Sequence, residues 1–335
     1  MSSPVRLLLC SGSDREGASA LADLVEEQTA WLRLSWFTDE PDDDGTLVDI
    51  LAAADNSLSL TVSSSSTTAI SGTSLSRSLT RAMRLGAALV SGGVPDGQSA
   101  VIDCGEAAAF ASDLNDLHAI HRFATEVLRP ELLMDTSGRA AHARISHVIE
   151  VLDALFFAVS HQGIMRCAVR PGTWLEKELG RVVLDLAIVG IAVDGVAIAP
   201  AKKPIGVAEK DTFARELADL GSMARVWRSG SLRAAPKGHR VDEFLSKDRG
   251  VSGVTEAAGG SSGEYIGTCD ASGVDSDEVR VGVDGEFMVV ASPRVRRWLP
   301  LPSTLVRCSP VSAGVDARGI HAHFVVNSAL WPEGQ

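Results

Sequence analysis

The chain has 335 residues, of which 45% are hydrophobic and 22% charged, and its formal net charge is −12. This length suggests two domains, or one large domain with an added module, and the apolar fraction is that of a globular protein. The negative charge argues against nucleic acid and anionic membranes as partners, because both attract basic proteins. No apolar run is long enough for a membrane-spanning helix.

The cysteines and the first residues of the chain bear on its location. The five cysteines are far apart and form no CxxC pair, which is typical of reduced thiols. The first apolar run, near residues 5–10, is too short for the core of a signal peptide. We therefore expect a cytoplasmic protein.

Residues 1–105 alternate between strand and helix patterns. Strands are predicted near 5–10, 31–37, 58–62 and 100–104, and helices near 18–30, 47–54 and 74–90. Such alternation is typical of βαβ units with right-handed crossovers. The fold prediction is α/β, with an open, mostly parallel sheet in the N-terminal part.

Residues 106–162 predict a helical hairpin, with helices over 106–133 and 139–162. The second helix carries a broad apolar stripe that something must cover. A protein partner, or self-association through 106–162, is therefore expected.

The rest of the chain is more mixed. Residues 163–228 predict mixed α/β structure, with a hairpin at Asp194-Gly195, and residues 229–263 predict a flexible linker. Residues 264–335 predict a β-rich module with a second hairpin at Asp284-Gly285.

Two hydroxyl-rich turns follow predicted strands and are the candidate ligand site. In an open parallel sheet, ligands bind beyond the carboxyl ends of the strands, and helix N-termini there favour anions. The predicted ligand-binding residues are Ser11, Ser13 and Asp14 in the first turn, and Ser64, Ser65, Ser66 and Thr67 in the second. Asp103 and Glu106, at the end of the fourth strand, are the candidate catalytic acid and base.

Motifs add little to this site. Neither GxGxxG nor GxxxxGK[ST] occurs, so no dinucleotide or P-loop fingerprint supports it. The order of elements is similar to that of phosphosugar-isomerase-type domains, which hold a sugar phosphate at a Ser/Thr loop. Residues 65–73 depart from their compact loop, and no family is assigned on this likeness. The alternative is that these serines only cap helices and form turns.

A group of histidines and one cysteine are two other candidate sites. His118, His121, His147 and Glu150 could meet across the predicted hairpin as a metal cluster, but the Glu-x-x-His motif of such bundles is absent. Cys104 could have its pKa lowered by a helix N-terminus, although buried strand cysteines are commoner. No metal or cofactor is assigned.

Two functional hypotheses follow. The first is a protein that binds a small anionic, possibly phosphorylated, ligand at the Ser/Thr-rich turns, with catalysis left open. The second is a non-enzymatic interaction or assembly subunit of a larger complex.

Overall fold

The computed structural model of the protein describes most of the predicted elements. The described residues are 6–29, 31–37, 72–90, 99–128, 139–170, 178–191, 193–198, 206–220, 225–228, 255–258, 264–269, 278–316 and 319–330. The predicted helix near 47–54, the strand near 58–62 and the Ser64–Thr67 turn lie outside them.

In the described residues, a parallel sheet of six strands organises the N-terminal part, in agreement with the α/β prediction. Its strands are β1 (Arg6–Gly12), β2 (Leu32–Ser35), β3 (Ser99–Glu106), β4 (Gly163–Val169), β5 (Val193–Ile198) and β6 (Arg225–Arg228). The central strand β1 is a continuous apolar run because both of its faces are covered.

The strand order is β2-β3-β1-β4-β5-β6. The chain leaves β1 towards β2, returns through β3, and then continues on the other side of β1 with β4. The direction of winding therefore reverses between β1 and β4. In open α/β sheets, ligands bind at the carboxyl ends of the strands at such a reversal.

Helices cover both faces of this sheet. They are α1 (Arg15–Thr29), α2 (Gly72–Val90), α3 (Ala107–Phe123), α4 (Arg139–Phe157) and α5 (Glu178–Ile188). A further helix, α6 (Val207–Leu220), lies between β5 and β6 in the chain. Helix α1 packs on the face that carries Leu8 and Cys10. Helices α2 to α5 contribute to the larger core on the opposite face, which carries Leu7 and Leu9. Both α3 and α4 continue into a single π-helical turn, at Ala124–Leu128 and Ala158–Gln162.

The apolar stripe of the predicted helical hairpin is covered by the protein itself. Ile145, Val148, Leu152 and Leu155 of α4 are all buried in the larger core, with α4 packed mainly against α2. Helices α3 and α4 thus form part of the α/β layer. The stripe is not free for a partner, although Phe157 at the end of α4 is exposed.

Two small antiparallel sheets form the C-terminal module. Their strands are β7 (Thr255–Ala258), β8 (Glu264–Cys269), β9 (Arg280–Asp284), β10 (Phe287–Ala291), β11 (Arg296–Pro300), β12 (Cys308–Asp316) and β13 (Gly319–Val326). The sheet orders are β11-β10-β9 and β12-β13-β8-β7. One short helix, α7 (Ser303–Val306), joins β11 to β12. The predicted Asp284-Gly285 hairpin is confirmed, and Gly285 has a φ of 58°.

The module packs on the α/β part through apolar and charged contacts. Met288, Val290 and Leu299 belong to the same core as the helices of that face. The Arg122 guanidinium, at the end of α3, lies 4.9 Å from the Phe287 ring centre and 4.8 Å from that of Trp298. The two parts therefore share one core.

Three sequence predictions were wrong. The Asp194-Gly195 pair forms no hairpin, since it lies inside β5, which pairs in parallel with both β4 and β6. The predicted helix over 211–228 ends at Leu220, and β6 follows it. Strand β7 lies within the stretch 229–263 that was predicted as linker. The turn propensity of Asp194-Gly195 does not decide the local structure, because β5 is hydrogen-bonded to a parallel strand on each side.

The parallel sheet also extends beyond residue 105. Strands β4 to β6, which fall in the predicted 163–228 segment, join β1 to β3 in one sheet. None of the described helices is long and apolar enough to cross a membrane.

Candidate functional site

The β1–α1 turn lies at the reversal between β1 and β4, where the sequence placed Ser11, Ser13 and Asp14. Ser11 is fully buried, and its hydroxyl donates to the Gly105 carbonyl at 2.8 Å. This bond lies where the β1–β3 register shifts between Cys10 and Ser11, beside Gly105, which has a φ of 64°. A side chain at position 105 would also collide with the Phe37 ring. Ser11 therefore binds the backbone of β3.

Ser13 and Asp14 bind the end of β4. The Ser13 amide donates to the Ala168 carbonyl at 2.9 Å, and its hydroxyl accepts from the Arg170 amide at 3.0 Å. The Asp14 carboxylate accepts from the Gly17 amide at 2.7 Å and from Arg170 Nε at 3.1 Å. Asp14 is thus the N-cap of α1, with Gly17 as the capped amide.

Asp103 is held by donors from three elements. Its carboxylate accepts from the Ser19 hydroxyl at 2.7 Å, from Arg33 Nη2 at 3.2 Å and from the Gly105 amide at 3.1 Å. The side chain is only 9% exposed. A carboxylate bound by three donors, one of them a guanidinium, is arranged as a structural ion pair that joins α1, β2 and β3.

Glu106 differs from Asp103 because it is exposed. It stands at the N-cap position of α3 without making a side-chain capping bond. The structure therefore separates the two candidate catalytic residues into one buried, fully bonded carboxylate and one solvated carboxylate. The Ser64, Ser65, Ser66 and Thr67 turn lies outside the described residues.

Sequence reasoning missed a third carboxylate at this edge. Asp113 of α3 is buried and accepts from Trp36 Nε1, the Ser78 hydroxyl and Arg81 Nη1, each at 2.8 Å. These three donors come from the end of β2 and from α2. An aspartate on the apolar face of a predicted helix was the available signal, since such a group must find partners when buried.

An aromatic ring covers the same edge. The Phe37 ring is close to two guanidinium groups, with Arg81 at 4.5 Å and Arg15 at 5.6 Å from its centre. Together with the close approach of Phe37 to Gly105, these contacts cover the carboxyl end of β3.

The spacing of residues 12–19 was a second missed signal. Gly12, Gly17 and Ser19 match the phosphate-binding loop Gly-x4-Gly-Lys-Ser/Thr between a strand and a helix, but Ala18 stands at the lysine position. In such loops the hydroxyl and a strand-end aspartate hold a magnesium ion. Here Ser19 and Asp103 bind each other, and the Arg33 guanidinium beside Asp103 opposes a cation. The residues present do not fit the metal.

The turn is also tighter than a phosphate-binding loop. Helix α1 begins at Arg15, so residues 15–17 are already helical. A Cβ at Gly12 would lie 2.9 Å from the carbonyl oxygens of Ala168 and Asp14. Two backbone amides of the turn are already bound, that of Ser13 to the Ala168 carbonyl and that of Gly17 to the Asp14 carboxylate.

The cysteine and histidine candidates do not form sites. Burial raises the pKa of the Cys104 thiol, which rules out an activated thiolate there. His118 stacks on Phe156, and burial lowers its pKa to about 3. His147 and Glu150 are exposed on α4. Within the described ranges, no three His, Cys, Asp or Glu side chains come together as a metal site.

Comparisons with known proteins assign no family. No protein-family model matches the sequence, and no curated protein matches it.

Proposed function

We propose that this protein works as a non-enzymatic interaction or assembly subunit, built on an α/β frame whose ligand-binding edge is closed by its own side chains. One observation carries the proposal. Ser11, Ser13 and Asp14, the described residues that the sequence assigned to a ligand, all have hydrogen-bond partners within the chain. Opening the edge to a ligand would require breaking these bonds.

Charge and residue type support the same proposal. The Asp14 carboxylate places a negative charge at the N-terminus of α1, where a phosphate would otherwise be attracted. Ala18 supplies no cation for the phosphates, and Asp103 is committed to Ser19 and Arg33.

The C-terminal module offers a surface for a protein partner. Val311, Val325, Val326 and Leu330 are exposed aliphatic residues on β12, on β13 and in the turn after β13. The pairing of Val326 with Cys308 brings the end of β13 beside the start of β12, so these residues lie at one end of the sheet, with Val325 and Val326 on opposite faces. Exposed apolar residues at such a sheet end can contribute to a protein interaction site. This surface replaces the α4 stripe, which is buried, as the expected contact region.

Light scattering on the purified full chain, alone and with partner proteins that co-purify with it, tests the proposal. We expect a mass above that of the monomer, which decreases when Val326→Asp is introduced. The control is Val207→Asp, a more exposed aliphatic position at the start of α6, which should leave the mass unchanged. A strict monomer that retains no partner contradicts the proposal.

A second candidate function is binding of a small anionic ligand, such as a phosphorylated metabolite. The observation that favours it is the position of Arg170 at the strand reversal, where it holds the Asp14 carboxylate that a phosphate could replace. The test is a titration of wild type and Ser13→Ala with a panel of sugar phosphates. Saturable binding that the variant weakens would support this candidate, and no binding would remove it.

A further inference from the structure

The β1–α1 turn places a carboxylate where phosphate-binding loops place their ligand. Asp14 accepts from a helix N-terminal amide, at Gly17, and from a guanidinium, at Arg170. Amides of a helix N-terminus together with an arginine are the donors that bind oxyanions in proteins. Here both donors bind a side chain of the same turn.

The two donors come from different elements, which makes the contact a connection between them. Gly17 belongs to α1, whereas Arg170 directly follows β4. Arg170 is held twice, because its amide also donates to the Ser13 hydroxyl. Its side chain is only 12% exposed, and that of Asp14 is 24% exposed, so solvent screens the pair incompletely.

Two glycines of the turn lie close to Asp14. A Cβ at Gly17 would lie 3.1 Å from the Asp14 carboxylate, and one at Gly12 would lie 2.9 Å from the Asp14 carbonyl. The glycines that admit a phosphate in other loops here admit Asp14.

We infer that Asp14 is the internal anion of this turn: its carboxylate, bound by Gly17 and Arg170, holds the β1–α1 turn closed against β4 without any bound molecule. The inference deepens the proposed function and rests on it, because a subunit that binds nothing at this edge must close the edge by itself. Asp14 is in this sense a positioning residue.

The test measures thermal unfolding of wild type and Asp14→Ala with and without millimolar inorganic phosphate. We expect Asp14→Ala to melt a few degrees below wild type, because the cap and the ion pair are lost. Phosphate should restore part of this loss by binding the exposed donors, whereas wild type should not respond. Loss of a merely structural contact would not be restored by an anion.

Two variants serve as controls. In the double variant Asp14→Ala/Arg170→Ala, phosphate should restore nothing, because one of its donors is gone. Glu16→Ala should resemble wild type, because Glu16 is exposed and lies 3.8 Å from Arg170. If Asp14→Ala does not fold, Asp14→Asn takes its place, because it keeps a capping oxygen but removes the carboxylate that Arg170 binds. Phosphate should then stabilise Asp14→Asn and leave wild type unchanged.

The outcomes separate the inference from the proposed function. If wild type does not bind phosphate and the Asp14 variants are not restored, the inference is wrong while the proposed function stands. If phosphate stabilises wild type as much as Asp14→Ala, the inference is wrong and the edge is open to ligands. The proposed function then fails as well.

Discussion

Two regions of the molecule pair carboxylates with arginines, and they do so differently. At the carboxyl edge of the parallel sheet, Asp103 and Asp113 each accept from three donors, and their side chains are 9% and 12% exposed. At the interface with the C-terminal module, Glu278 binds Arg181, and Glu178 binds Arg294. Both arginines there are about two-fifths exposed, at 41% and 40%.

This difference in burial of the ion pairs indicates which contacts stabilise each region. Exposed ion pairs contribute little, so the C-terminal module depends mainly on its apolar contacts and on Arg122 between two rings. A buried carboxylate with several donors is different, since removing it leaves all of those donors unsatisfied. The edge of the sheet should therefore be far more sensitive to substitution than the interface.

The largest expected effect is at Asp113. Asp113→Ala leaves Trp36 Nε1, the Ser78 hydroxyl and Arg81 without their shared acceptor. We expect a loss of about 3–5 kcal/mol in the free energy of unfolding, measured by urea denaturation. Glu150→Ala, at an exposed position on α4, is the control and should change stability by less than about 0.5 kcal/mol. Equal effects would remove the distinction between the two regions.

A smaller loss is expected at Arg122. Arg122→Ala removes a guanidinium that contacts both Phe287 and Trp298, and should cost about 1–2 kcal/mol. Arg280→Ala on β9, an exposed position, serves as its control in the same denaturation series. A loss at Arg122 as large as that at Asp113 would show that the interface is held mainly by this one contact.

The pH dependence of stability should reveal Asp185 of α5. Burial raises the pKa of this carboxyl in the folded protein, while the Ser292 hydroxyl and Arg294 lower it in part. Because the folded-state pKa is raised, Asp185 contributes its full stabilisation of the folded protein below the usual pH range of carboxyl titration. This contribution is lost as pH rises through the folded-state pKa. Asp185→Asn cannot titrate, so its stability relative to wild type should increase between about pH 4 and pH 7.

The matched measurement for Asp185 uses Asp284→Asn, which removes an exposed carboxylate from the β9–β10 hairpin. Denaturation midpoints of both variants and wild type across this pH range give the comparison. A relative stability of Asp185→Asn that is independent of pH would contradict the role assigned to burial.

The smallest effect is expected at Arg181. Arg181→Gln removes the bidentate contact with Glu278 at the rim of the module. Solvent screens this pair, so we expect no measurable change in the denaturation midpoint. A clear loss would mean that rim charges hold the module in place.

The sequence allowed strands β1, β2 and β3 of the parallel sheet to be predicted, because they are short apolar runs separated by helical periodicity. Strands β1 and β3 and helix α2 lie close to their predicted ranges. The Asp194-Gly195 turn could not be rejected from the sequence, because only the pairing partners of β5 show that the strand continues.

The sequence predicted where Ser11, Ser13 and Asp14 lie in the fold, but not which groups their side chains bind. The position of Ser11, Ser13 and Asp14 at a strand end followed from alternation, and the structure confirms that location at β1. That Asp14 binds Arg170 could not be predicted, since the two residues are 156 positions apart and meet only through the β1–β4 pairing. Long-range partners of this kind decide whether a polar turn is open or closed.

The most direct test of the account is a calorimetric titration of the wild-type protein with magnesium ATP and with a sugar phosphate. A closed edge predicts no heat beyond that of dilution for either compound. Saturable binding that Arg170→Ala abolishes would show that the strand reversal between β1 and β4 accepts a ligand, and would contradict the account.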